Sequence, residues 1–175
     1  LIRKALTNLG TSGRRFLVPE MNMTGYRRRE QFLCEFVSAI LSKLAASPYE
    51  YKSIIEEFLP DTFISFDEQK YEETGDGIIC KAEPVEEDVD AVLKFPYILS
   101  KSRDMDICFV IDEFQNVLEL PEGERLLRKM ESISSSLRGK CRFSYIFCGS
   151  GLNTMKWIFA YRKFFFRDIV DVPLS

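Results

Sequence analysis

The feature that most constrains the fold of this 175-residue chain is an unbroken apolar run that ends in two acids. Ile107 to Ile111 contains no polar residue that would mark an exposed face, and Asp112 and Glu113 follow directly. Such a run is typical of a strand buried on both faces in a parallel sheet that helices cover. In open α/β sheets the ligand crevice lies at the carboxyl ends of the strands, where these two carboxylates would emerge. The same pattern also suits a buried strand that ends in a solvated acidic turn.

Length and composition suit one domain with a sizeable core. Apolar residues make up 46% of the chain and 15 residues are Phe, which argues against disorder over most of it. The net charge of −3 gives no overall attraction to nucleic acid or to a membrane, so DNA remains possible only through a local basic patch. No apolar run is long enough for a membrane span and the start does not resemble a secretory signal. We therefore expect a cytoplasmic protein.

Cysteine and histidine usage limits the available chemistry. The five cysteines are scattered, odd in number and without CxxC spacing. This favours small buried side chains in a reducing compartment over the alternative of a disulfide or metal framework. Histidine is absent, which excludes Ser-His-Asp and Cys-His catalysis and leaves carboxylates, Lys, Arg and hydroxyls.

The first half of the chain predicts a helix, a strand and two more helices. Leu1 to Leu9 has helical apolar spacing, and the strand from Phe16 to Met21 contains Pro19, which favours a sheet edge because proline cannot donate to a ladder. A long helix is predicted over about 27–46 and a shorter one over 48–59. Three arginines open the long helix and leave two interpretations, a solvated surface cluster or a nucleic-acid contact.

The second half predicts alternating helices and strands around the central run. Residues 61–84 form an acidic, exposed excursion, with a hairpin through 63–65 and 78–80, to which we assign no function. A helix over 86–100 would end or kink at Pro96, and a helix over 122–138 follows the central strand. The next strand, 143–148, leads into Gly-Ser-Gly, then a helix over 152–160 and a short strand over 169–172. This alternation predicts a parallel α/β sheet.

The order of these elements, with the IDEFQ sequence from Ile111 to Gln115, resembles the core of AAA-type and STAND-like P-loop ATPases. It is especially similar to an archaeal and bacterial ATPase family whose Walker B segment reads IDEFQ. The resemblance covers nearly the whole chain except 61–84. It implies a three-layer P-loop fold of the ASCE or AAA type, with strand order 5-1-4-3-2 and helices on both faces of the sheet.

The resemblance also implies roles for individual residues. Asp112 would help to hold Mg²⁺ and contact the ATP phosphates, while Glu113 would activate the attacking water. The sensor-1 position falls at Ser150, or at Asn153 if the register slips. Arg167 resembles a family arginine near the lid, and residues 173–175 look like the entry to a lid domain.

One departure from the family pattern is large, since the chain contains no GxxxxGK[ST] loop. That loop supplies most of the grip on phosphate. Residues 1–6 resemble the first turns of the helix that comes directly after such a loop. We therefore expect residues 1–175 to be a partial ATPase core that lacks the first strand, the P-loop and the lid. The alternative is a natural relative of these ATPases that never had the loop. We expect this chain alone to bind nucleotide weakly or not at all and to be inactive.

The sequence leaves two candidate functions. The first is Mg²⁺-dependent ATP hydrolysis by the intact parent protein, with a protein partner or self-association. The second is a non-catalytic α/β module that docks a protein or DNA through the aromatic and basic segment from Trp157 to Arg167. Such a segment is also typical of core packing.

Overall fold

The computed structural model describes residues 15–165 and 169–170. Its elements alternate along the chain as the sequence predicts, with six strands and six α-helices in the described part. In order they are β1 (Phe16–Leu17), β2 (Glu20–Asn22), α1 (Arg29–Leu44), α2 (Pro48–Phe58), β3 (Ile64–Phe66), α3 (Glu68–Thr74), β4 (Ile78–Cys80), α4 (Glu86–Ser102), β5 (Asp106–Asp112), a 3₁₀ helix (Phe114–Glu119), α5 (Gly123–Leu137), β6 (Phe143–Phe147), α6 (Leu152–Lys156) and a π turn (Trp157–Tyr161).

Strand β5 lies in the middle of a parallel sheet. It pairs with β1 and β2 along one side, where Met21 is opposite Ile111, and with β6 along the other, where Phe147 is opposite Ile111. The prediction of a parallel sheet with β5 at its centre is therefore confirmed. The neighbours of β5 are those expected from the order 4-3-2, because β2, β5 and β6 correspond to strands 2, 3 and 4 of that order.

Pro19 interrupts the edge strand that the sequence predicts over 16–21. Its carbonyl accepts a hydrogen bond from Val110 N at 2.9 Å, but its ring nitrogen has no hydrogen to donate. The edge is consequently two short strands on either side of Val18–Pro19, both paired to β5.

The helices contact the sheet through one face in the described part of the chain. The Phe36 ring of α1 stacks on Phe109 with centroids 4.5 Å apart, and Tyr97 of α4 packs on Phe143. On the opposite face Val110 and Ile146 are half-buried. The second helical layer that the sequence predicts is thus not seen among residues 15–165, and the predicted helix over 1–9 lies outside the described residues.

Helix α4 corrects the prediction that Pro96 ends or kinks the helix at that point. It runs from Glu86 to Ser102 with Pro96 inside it, so the chain remains helical although one backbone donor is missing. Both Phe95 and Pro96 are buried, and Leu93 and Leu99 on either side are fully buried. Burial of this long apolar face outweighs the lost hydrogen bond.

The excursion over 61–84 is a compact unit with a helix that the sequence did not predict. Strands β3 and β4 pair antiparallel, as predicted, but α3 lies between them. Asp67 caps α3 by accepting a hydrogen bond from Lys70 N at 2.7 Å, and Gly75 ends it in the left-handed conformation at φ 74°. Asp76 then accepts a hydrogen bond from Ser38 of α1 at 2.8 Å, which fixes the unit to the long helix.

The arginines at the start of α1 are paired with acids. Arg27 bonds Glu119 of the 3₁₀ helix, and Arg29 bonds Glu86 at 2.8 Å and Glu122 at 3.4 Å. These pairs support the surface-cluster interpretation, because each arginine is neutralised within the molecule.

None of the helices in the described part has the length and apolar character that a membrane crossing needs.

Four further expectations concern the end of the chain. The helix predicted over 152–160 is instead the short helix α6 followed by the π turn, from Leu152 to Tyr161 in total. The strand predicted over 169–172, the lid entry at 173–175 and Arg167 lie partly or wholly outside the described residues.

Candidate functional site

Backbone hydrogen bonds clamp the carboxyl end of β5 between its two neighbours. On one side Met23 N donates to the Asp112 carbonyl at 2.9 Å. On the other, Cys148 N donates to the Ile111 carbonyl at 2.8 Å, and Phe114 N donates to the Cys148 carbonyl at 2.9 Å. The backbone around Asp112 and Glu113 is therefore held on both sides at the edge of the sheet.

Glu113 turns the chain out of the strand in an unusual backbone conformation. Its φ of 50° and ψ of 39° are in the left-handed region, which residues other than glycine and asparagine seldom adopt. Such strain persists only where the surroundings impose it. Here it follows from the clamp, because the chain must leave β5 and enter the 3₁₀ helix within one residue.

The Glu113 carboxylate is bound from the end of β6. Ser150 Oγ donates to Glu113 Oε2 at 2.8 Å, and Gln115 Nε2 donates to the same oxygen. These two hydrogen bonds lower the pKa of Glu113, the Gln115 bond contributing most. Glu113 is thus ionised at neutral pH, and the two hydrogen bonds fix the orientation of its carboxylate.

Glycines beside Ser150 allow Gln115 to approach closely. A Cβ atom at Gly149 would lie 2.2 Å from Gln115 Oε1, and one at Gly151 would lie 3.1 Å from Gln115 Cγ. Gln115 Oε1 is buried and has no hydrogen-bond partner within the described residues. The glycine-serine-glycine turn therefore serves to seat Gln115 against Glu113.

Asp112 is exposed beside Asn22, its register partner at the end of β2. Asn22 Nδ2 approaches Asp112 Oδ2 at 3.5 Å, and Asn22 Oδ1 accepts a hydrogen bond from Thr24 N at 2.8 Å. Glu113 N donates to Asp112 Oδ1 at 2.9 Å. The Asp112 carboxylate thus faces solvent at the mouth between β2 and β6.

The carboxylates at this edge could bind Mg²⁺ only if water and substrate phosphates complete its coordination. In the described part of the chain no group of three or more acids, cysteines or histidines forms a protein cage for a metal. Mg²⁺ commonly keeps several waters and takes one or two carboxylates together with substrate phosphates. One exposed aspartate can therefore be the only ligand that the protein contributes. Asp112 is the residue that could hold the ion in this manner.

The structure brings together three of the residues that the sequence analysis singled out. Asp112, Glu113 and Ser150 meet at one edge of the sheet. Asn153, the alternative to Ser150, lies exposed on α6, and no hydrogen bond from its side chain to either acid is found among the described residues. Arg167 lies outside the described residues, so its predicted place near the site stays a prediction.

Two residues of the site, Asn22 and Gln115, were not identified from the sequence. Gln115 was within the quoted IDEFQ run, but nothing in the spacing assigned it to Glu113. Asn22 could have been found from its position, because a polar residue that ends the neighbouring parallel strand lies at the same edge as Asp112. Its register opposite Asp112 continues that of β1 across Pro19, since Phe16 pairs with Asp106 and Glu20 with Val110.

Comparison with known proteins gives limited similarity. No protein-family model matches the chain, and no curated protein matches it. A solved structure with structural similarity is that of a Walker-type ATPase of Pyrococcus abyssi, at 17% sequence identity and a TM-score of 0.49. The similarity covers 88% of this chain, which spans only 39% of the length of that one. The site therefore rests on the geometry of the chain itself.

Proposed function

We propose that the chain is part of the catalytic core of a Mg²⁺-dependent, AAA- or STAND-like ATPase. The observation that carries the proposal is the meeting of Asp112, Glu113 and Ser150 at the carboxyl edge of adjacent parallel strands, with Ser150 Oγ 2.8 Å from Glu113 Oε2. Ligand sites of open α/β sheets occupy this edge. In Mg²⁺-dependent nucleotide hydrolysis an exposed aspartate can hold the metal and an oriented glutamate can activate the attacking water.

Each residue has a distinct task in this proposal. Asp112 would hold Mg²⁺, which when bound offsets the negative charge of the ATP phosphates. Glu113 would accept a proton from the attacking water, since its lowered pKa keeps the carboxylate ionised. Ser150 and Gln115 position that carboxylate, and Ser150 would sense the phosphate that leaves. Asn22 would orient Asp112 from the neighbouring strand.

The proposed site lacks a phosphate-binding loop. The sequence contains no GxxxxGK[ST] loop, which normally provides a cradle of backbone N–H groups and a lysine. The residues at the β5 edge contribute the carboxylates alone. We therefore propose weak nucleotide binding by these 175 residues, with hydrolysis requiring a phosphate-binding loop in addition.

Calorimetric titration tests the proposal directly. Mg²⁺-ATP is expected to bind weakly, to require both the metal and the triphosphate, and to lose its heat signal in Asp112→Asn. Glu113→Gln should keep the binding, because this residue acts on water. Asp104→Asn is the matched control, since Asp104 is exposed near the opposite end of β5 and pairs with Arg142.

Two outcomes of this titration would overturn the proposal. One is tight ATP binding by these residues alone. The other is binding that does not depend on Mg²⁺ or that Asp112→Asn leaves unchanged.

The alternative of a docking module has less support from the described residues. Ile158, Phe164 and Phe165 of the aromatic and basic segment are buried in the core. Arg162 pairs with Glu124 and lies over the Trp157 ring at 5.2 Å. Three apolar side chains of the segment therefore belong to the core, whereas residues 160–163 are exposed, with the Tyr161 ring among them.

A further inference from the structure

Two cysteines from distant parts of the chain meet beside α1, away from the β5 edge. Cys34 lies in the second turn of α1, and Cys80 is the last residue of β4 in the excursion. Both are free thiols and half-buried, so each can be reached by a small reagent. Neither takes part in the site at the β5 edge.

Hydrogen bonds of the two thiols cross over between the elements. Cys34 Sγ donates to the Ile78 carbonyl of β4 at 3.8 Å, and Cys80 Sγ donates to the Glu30 carbonyl of α1 at 3.6 Å. Glu30 precedes Cys34 by one helical turn, and Ile78 precedes Cys80 by two residues, so each carbonyl lies on the same side of its element as the thiol. The side chains thus face each other, so the Cys80 thiol can turn to donate to the Cys34 sulfur once Cys34 is ionised.

We propose that Cys34 and Cys80 are a redox-active thiol pair that a low-molecular-weight disulfide such as oxidised glutathione converts to an intramolecular disulfide. The Cys34 thiolate attacks one glutathione sulfur and displaces glutathione thiolate, which takes up a proton. Cys80 then loses its proton, attacks the Cys34 sulfur and displaces the second glutathione. Two electrons pass from the protein to the oxidant, and two molecules of reduced glutathione leave.

The surroundings of the pair suit this order of attack. The hydrogen bond from Cys80 lowers the pKa of Cys34, with help from the nearby Lys70 and against burial, Asp76 and Glu35. The same hydrogen bond raises the pKa of Cys80, together with burial and the charge of Cys34 and Glu30, while Lys70 opposes them. Because the thiolate is the attacking form, Cys34 is the first nucleophile and Cys80 the resolving thiol.

The disulfide would fasten the excursion to the long helix. In the reduced state the unit is held to α1 by polar contacts such as Ser38 with Asp76. A covalent link between residues 34 and 80 closes a long loop, which removes freedom from the unfolded chain. Oxidation would consequently oppose the separation of β4 from α1.

Peptide mapping after redox equilibration tests the proposal. The full chain is incubated with defined ratios of reduced and oxidised glutathione, quenched in acid, alkylated and digested without reduction. Wild-type protein is expected to lose two of its five alkylatable thiols and to yield a peptide that joins Cys34 to Cys80. Failure to form this link in excess oxidised glutathione, or equal formation of other cysteine pairs, would overturn the proposal.

Serine variants identify the order of the two steps. Cys80→Ser should stop with glutathione attached to Cys34, whereas Cys141→Ser, a change at another half-buried cysteine, should behave as the wild type. Preferential glutathione attachment elsewhere in Cys80→Ser would contradict the assignment of Cys34 as the nucleophile. The oxidised wild type should also melt about 5–10 °C higher than the reduced form. An oxidised chain that melts no higher would argue against a link in the native geometry.

Discussion

Glu113 is the residue at which backbone and side-chain constraints meet. Its left-handed backbone places the carboxylate where Ser150 and Gln115 both donate to Oε2. Asp112 and Glu113 were identified because they directly follow a buried strand, and Ser150 because the family resemblance implied a sensor residue after the next strand. The sequence could not identify Gln115, because that contact depends on the space left by Gly149.

Removing the Ser150 hydroxyl should change the titration of Glu113. In Ser150→Ala the carboxylate loses one of the hydrogen bonds that lower its pKa, so the pKa of Glu113 should rise toward its ordinary value. Titration followed by NMR of carboxyl-labelled glutamate measures this. Asn153→Ala, a truncation on the adjacent helix α6, should leave the titration of Glu113 as in the wild type. An unchanged pKa in Ser150→Ala would show that the hydrogen bond is absent in solution.

At the scale of elements, the junction between the 3₁₀ helix and α5 leaves no room for a side chain. A Cβ at Gly123 would lie 2.1 Å from the Val117 carbonyl oxygen, a backbone atom that cannot move aside cheaply. Gly123→Ala should therefore lower the free energy of unfolding by about 2 kcal/mol or more, as overpacking does. Urea denaturation measures the change. Ser132→Ala on the exposed side of α5 is the control and should stay within about 0.5 kcal/mol of the wild type.

The docking of the excursion onto α1 depends on the ionised form of Asp76. Burial raises the pKa of Asp76, but hydrogen bonds from Lys70, Ile78 N and Ser38 outweigh it, and the net pKa is lowered. A lowered folded pKa contributes stability that is present above the unfolded pKa and is lost as pH falls through the folded value.

Asp76→Asn should accordingly cost about 2 kcal/mol at neutral pH, since a charged hydrogen-bonded group is lost, and should flatten the loss of stability toward acid. The free energy of unfolding measured from pH 7 down to about pH 3 gives both quantities. Glu72→Gln, a change at an exposed acid of α3, should follow the wild-type curve. If Asp76→Asn lost stability toward acid as steeply as the wild type, the acid sensitivity would come from other carboxylates.

At the scale of the whole molecule, the apolar runs predicted a parallel sheet, and the resemblance to P-loop ATPases implied the order of its central strands. A continuous apolar run such as Ile107–Ile111 is typical of a parallel strand, and β2 and β6 both pair parallel to β5. The continuation of α4 through Pro96 was not predictable, because it depends on burial against elements remote in sequence. Helix α3 was missed because it buries no residue fully and so lacks an apolar period.

Stacking of α1 on β5 joins a long helix to the central strand of the sheet. Phe36 and Phe109 are fully buried and stack with rings inclined by 8°. Phe109→Ala should lower the free energy of unfolding by about 3–5 kcal/mol. A double-mutant cycle with Phe36→Ala should give a coupling of about 1 kcal/mol, and Tyr49→Ala, at a ring that is 79% exposed, should have little effect. A coupling near zero would contradict the stacked arrangement.

The central claim is that the acids at the end of β5 receive a metal-bound triphosphate. Paramagnetic broadening tests this most directly, because Mn²⁺ can replace Mg²⁺ and its effect on amide NMR signals is detectable even in weak binding. With Mn²⁺-ATP we predict that the signals of Asn22, Asp112, Glu113 and Ser150 broaden first, and that Asp112→Asn abolishes the effect. Broadening centred on the acidic excursion at 67–76, or unchanged in Asp112→Asn, would contradict the account.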